Sequence, residues 1–146
     1  MSLTKVSTLI LVLLFVLAAF SRAHGDDFVL VVRKDSPVTT LTADTVKRIF
    51  LGKKRKWEDG SSITFILNNN LKVHEQFVYD ILKKSPSQLS AYWKLMLFSG
   101  RDYMPLFVDD DEAAIAGVAE SINAISYISS EKIDSRVKPV KILREP

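Results

Sequence analysis

Apolar and polar positions alternate between short runs and helical stripes along most of the chain. Phe28 to Arg33 reads F-V-L-V-V-R, an unbroken β-branched run closed by charge, and predicts a buried strand. After a turn-rich stretch, Thr42 is placed to cap a helix with Val46, Ile49 and Phe50 on one face and Gly52 at its carboxyl end. Asp59-Gly60 marks a turn before a second apolar run, Ile63 to Leu67. Asn68, Asn69 and Asn70 follow at once and predict a helix start, with Leu71, His74, Phe77, Val78, Ile81 and Leu82 as its inner face. Pro86 stops that helix and, behind Ser85, opens the next, whose stripe is Leu89, Tyr92, Trp93 and Met96 and whose end is Gly100. Asp109 to Asp111 announce a last helix, with Glu112 in capping-box spacing from Asp109 and Ile115, Val118, Ala119 and Ile122 buried. Two further strands are predicted, Ala124 to Ile128 and Val137 to Ile142. The expected architecture is α/β, a layered sheet with helices on both faces, in one domain over residues 26–146.

The amino terminus follows a different logic. Lys5, the apolar run Leu9 to Phe20, and the small or polar residues Ser21, Ala23 and Gly25 have the order of a secretory signal peptide. A membrane-crossing helix needs roughly 20 apolar residues, so residues 1–25 are expected to be cleaved and the mature protein periplasmic or secreted. An uncleaved anchor is the competing reading. Cleavage changes the charge picture. The whole chain carries 20 basic and 17 acidic residues, and loss of Lys5 and Arg22 leaves it nearly neutral. A near-neutral surface cannot neutralise a run of phosphates, so no nucleic-acid partner is expected. The chain has no cysteine, so its stability must come from its core.

The catalytic inventory is thin. Past the leader, His74 is the one histidine, and no nucleophile elbow or triad spacing occurs. No enzyme activity, cofactor or metal site is expected. His74 reads as a helix residue packing near Phe77 and Val78. Asp109 to Glu112 lack calcium-loop spacing and read as helix capping, while Lys53 to Lys56 read as a solvated turn. The candidate binding residues are Asn68, Asn69, Asn70 and Lys72. A strand running into a helix start presents unpaired amides and the positive end of the helix dipole at the carboxyl edge of a sheet, and Lys72 adds a formal charge.

These residues also form a family pattern. Leu41, Ile49-Phe50-Leu51-Gly52, Trp57 and Asp59-Gly60 resemble the "L…IF-x-G…W-x-D-G" segment of the phosphate-binding component of ABC transporters, and the likeness continues through Phe77, Trp93, Phe98-Ser99-Gly100, Pro105 and Ala124 to Ile128. The resemblance implies a single lobe of a type II periplasmic-binding-protein fold, a small oxyanion as ligand and a membrane permease as partner. Where that family carries an Arg and then Ser-Gly-Thr to hold phosphate, this chain has Leu67 and Leu71-Lys72-Val73, and Ser126 replaces a glycine. The resemblance therefore carries the fold and not the phosphate contacts. Two functions follow: a non-enzymatic solute-binding protein, or an envelope interaction module that has lost its ligand and relies on exposed Tyr92, Tyr103 and Phe107.

Overall fold

A computed structural model describes residues 27–146; the leader expected over residues 1–25 lies outside the described residues. Six strands form one mixed sheet: β1 (Phe28–Arg33), β2 (Thr40–Thr42), β3 (Thr64–Asn68), β4 (Leu106–Val108), β5 (Ala124–Ser129) and β6 (Val137–Leu143), in the spatial order β2-β6-β1-β5-β3-β4. Strand β1 runs antiparallel to both its neighbours, with Leu30 opposite Tyr127 of β5 and Val140 of β6. The β3 strand is parallel to β4 and β5, and Asn68 sits opposite Val108 at the shared carboxyl end.

Period-two alternation divides the core between the sheet's two faces. Leu30, Val32, Phe65, Leu67, Ile125 and Tyr127 face one layer, built from α1 (Ala43–Phe50), α2 (Leu71–Phe77) and α3 (Pro86–Phe98). Val31, Ile66, Ala124 and Ile128 face the other layer, α4 (Asp111–Glu120). The first layer is aromatic at its centre. Phe77 stacks on Tyr127 at 3.9 Å and meets the edges of Phe28 and Phe50 at 5.6 and 4.8 Å. Each fully buried side chain of this size contributes about 1.5–3 kcal/mol, and each aromatic pair about 0.5–1.5 kcal/mol more.

Capping chemistry explains where the helices begin and end. Thr42 Oγ1 accepts from Thr45 N–H at the start of α1. At its end the N–H groups of Gly52 and Lys53 return to the carbonyls of Ile49 and Arg48, a Schellman closure that needs the left-handed Gly52 (φ 71°). Ser85 and Gln88 bond each other's backbone in a capping box at the start of α3.

Four expectations are corrected by the structure. The last helix is capped by Asp110, whose carboxylate accepts from Ala113 N–H, so it starts one residue later than Asp109 would set it, and Glu112 turns instead to Arg136 at 2.9 Å. Leu71, expected on the inner face of α2, is 85% exposed, and Val73 takes the buried position. Ile122 lies beyond α4 and is exposed. Beyond Phe77 the helix widens into a π-helical turn, Val78–Leu82, which ends at Lys83 in the left-handed region.

Candidate binding cleft

The junction between β3 and α2 is where the sequence directed attention, and its geometry begins with Asn68. As the last residue of a strand covered on both faces, Asn68 is fully buried, and alternation turns its side chain toward α4. There Nδ2 donates to the Asp111 carboxylate at 2.7 Å and to the Tyr127 carbonyl at 3.1 Å, while Oδ1 accepts from Asn70 N–H at 3.0 Å. One asparagine thus ties β3, β5, α4 and the entry to α2 together. The Asn69 amide donates to the Val108 carbonyl, extending the β3–β4 ladder. Asn70 holds the N-cap position of α2, but its side chain accepts no capping bond.

On the opposite face, the backbone N–H of Asn68 donates to the Tyr127 hydroxyl at 3.2 Å, and that hydroxyl lies 2.7 Å from His74 Nδ1. Burial raises the Tyr127 phenol far above its ordinary range, so it keeps its proton. That proton is satisfied only if it is donated to Nδ1, which assigns the His74 proton to Nε2. Burial also lowers the His74 pKa, partly offset by the Asn68 backbone, so the ring is neutral near pH 7.

His74 forms part of the wall of a cleft of about 290 Å³ between the carboxyl end of β3 and α3. Leu67, Pro86, Leu89, Trp93, Leu97, Met104 and Phe107 supply its apolar lining; Asn69, His74, Ser90 and Lys94 are polar. Among the described residues no carboxylate lines it. Lys94 makes no ion pair among the described residues. The Trp93 indole Nε1 is buried with no acceptor among the described residues.

Of the predicted residues, Asn69 reaches the cleft, and Asn68 sits behind it as a bracket. Lys72 is exposed and lies 3.8 Å from the Asp27 carboxylate. Ser90, Lys94 and Met104 carry no motif, and only the fold brings α3 against the end of β3. A lone cation on an otherwise apolar helix was the available signal for Lys94. The aromatic anchors need correcting: the Tyr92 and Tyr103 hydroxyls donate to the carbonyls of Leu51 and Ile63, which holds both rings partly buried, whereas Phe107 is exposed. A second, larger cleft of about 770 Å³ lies beside Ser36–Thr42, with Arg48, Trp57 and Asn123 among its lining. Among the described residues no group of three or more His, Cys, Asp or Glu side chains could hold a metal ion. No helix among them is long and apolar enough to cross a membrane.

A mixed sheet with helices on both faces and a cleft at the carboxyl end of parallel strands is an α/β architecture that this chain shares with solved phosphate-transport receptors. An ABC-type phosphate transport receptor from Vibrio cholerae matches 80% of this chain at 19% identity with a TM-score of 0.57. A putative phosphate ABC transporter substrate-binding protein with bound phosphate, from Clostridium perfringens, matches 80% at 22% identity and 0.55, and PstS from Borrelia burgdorferi matches 83% at 13% and 0.57. The match covers 46%, 45% and 49% of those receptors, so the chain spans about half their length. No protein-family model and no curated protein matches the sequence. The expected α/β single-lobe fold is therefore present.

Proposed function

We propose that the protein is a non-enzymatic solute-binding-like protein that works outside the cytoplasm and takes a small oxyanion at the carboxyl end of β3. The observation that carries this reading is a cleft with Asn69, His74, Ser90 and Lys94 on its walls and no opposing carboxylate, at the edge where open α/β sheets receive ligands. In this reading Asn69 contacts the ligand, Asn68 fixes the position of Asn69, and Asn70 and Lys72 stand at the helix entry as further donors. The leader-like residues 1–25 and the fold shared with transport receptors support export and a membrane permease as partner.

The test is thermal unfolding of the protein against a panel of oxyanions, inorganic phosphate and sulfate together with organic carboxylates. A ligand at a hundredfold excess over its Kd stabilises by about 2.7 kcal/mol. An unmoved transition across the whole panel refutes the reading.

One observation favours a second role, the binding of another envelope protein. Leu95, Leu97, Phe98, Leu106 and Phe107 are each more than half exposed on α3 and β4. Here Phe98→Ser, and not Lys94→Gln, would abolish co-purification of a partner from envelope extract.

A further inference from the structure

Inorganic phosphate suits this cleft poorly. A bare tetrahedral anion has no apolar surface, and moving it from water into walls made of Leu67, Leu89, Trp93 and Phe107 costs hydration that only dense donor contact restores. The donors are few and lie at two places: Asn69 and His74 beside the strand end, and Ser90 and Lys94 one helical turn apart on α3. They can hold one charged head and leave the rest of the cavity to be filled by hydrocarbon. Its size agrees. About 290 Å³ is room on the order of ten waters at about 30 Å³ each, well beyond one tetrahedral ion and near the lower end for small-molecule sites. Leu97 and Phe107 at its lining are 58% and 55% exposed, apolar area that an apolar ligand body would cover.

We infer that the cleft binds a small organic carboxylate with an aromatic or branched aliphatic body, its carboxylate held by the Lys94 ammonium and its body against Trp93, Leu89 and Phe107. This rests on the solute-binding reading above and narrows its ligand. The sign of the ligand's charge follows from Lys94, which has no ion-pair partner among the described residues, and from a lining without carboxylates. Its class follows from the apolar side chains of the lining, which outnumber Asn69, His74, Ser90 and Lys94. Trp93 in the wall supplies an internal reporter.

The experiment is titration of the full chain, followed by indole fluorescence and by calorimetry, with phenylacetate, isovalerate, inorganic phosphate, and phenethylamine as the cation of matching shape. Trp57→Phe is used for the fluorescence arm so that the signal comes from Trp93. The expected result is saturable binding of phenylacetate or isovalerate with a Kd below about 1 mM. Phosphate binds at least tenfold more weakly and phenethylamine does not compete. Lys94→Gln, an exposed change that leaves the core intact, weakens carboxylate binding at least tenfold, and Phe107→Ala weakens phenylacetate more than it weakens any phosphate signal. Binding of phosphate in preference to both carboxylates overturns the ligand class and leaves the solute-binding reading standing. Equal binding of phenethylamine, or carboxylate binding indifferent to Lys94→Gln, overturns the assigned head-group contact. Failure of every probe, phosphate included, overturns the solute-binding reading itself.

Discussion

Asn68 joins four elements through one side chain, and its replacement separates two costs. In Asn68→Leu the shape is nearly kept, but the buried Asp111 carboxylate loses its 2.7 Å donor and Asn70 N–H its acceptor. A hydrogen bond to a carboxylate contributes about 1.5–3 kcal/mol, so urea unfolding should show a loss of that order. The Asn68→Leu, Asp111→Leu double variant should recover part of it, because the stranded charge is gone. The His74–Tyr127 pair gives a pH signature. A histidine whose folded pKa is lowered binds fewer protons folded than unfolded, so stability is complete above the ordinary value of about 6.5 and declines as pH falls from there toward the lowered value. The lowered carboxylates Asp35, Asp59, Glu112 and Asp134 act only below their own ordinary range near pH 4. Melting curves between pH 7 and 5 should therefore fall in the wild type and flatten in His74→Gln.

Helix ends divide by what surrounds them. Gly52 and Gly100 both close Schellman turns with φ of 71° and 80°, yet a Cβ at Gly52 would sit 2.9 Å from the Trp93 ring, and one at Gly100 meets nothing within 4 Å. Gly100→Ala should cost about 1–2 kcal/mol, the left-handed penalty alone, and Gly52→Ala clearly more, since the indole is wedged against Phe65 and cannot retreat. Paired thermal melts measure the difference. The elements legible in the sequence are those with local physics behind them. The run Phe28–Arg33, the Thr42 cap, the Ser85-Pro86 start and the two closing glycines are each signalled by neighbours a few residues apart. Strands β2 and β4 escaped because three residues carry no periodicity; they are strands only because β6 and β3 offer free edges. The offset between Asp109 and Asp110 is of the same origin: three consecutive aspartates fit the cap equally well, and the bond from Asn68 to Asp111 selects one register.

Over the whole molecule, the cleft was half readable. The strand-to-helix junction showed itself through its asparagines, and the sheet rule marks that edge as the place to expect a ligand. The wall contributed by α3 did not, because Ser90 and Lys94 meet Asn69 and His74 only after α3 folds back across the sheet. That same helix is apolar on both sides: Leu89 and Trp93 are buried, while Leu95 and Phe98 are 64% and 85% exposed. Such a surface should bind a hydrophobic dye and promote self-association at high concentration. Light scattering should show less association for Phe98→Ser at unchanged melting temperature, and an unaltered profile would mean that the patch is too dispersed to act as a unit.

Strand β6 lies between β1 and β2, although among the described residues it is the last strand and β1 the first. The sheet's interior can therefore be completed only after residues 137–143 have left the ribosome, and pairings that span nearly the entire described sequence close slowly. A chain still being synthesised therefore has no finished sheet to lock, and its two outermost pairings on this side, β6 with β1 and β6 with β2, form together at the end.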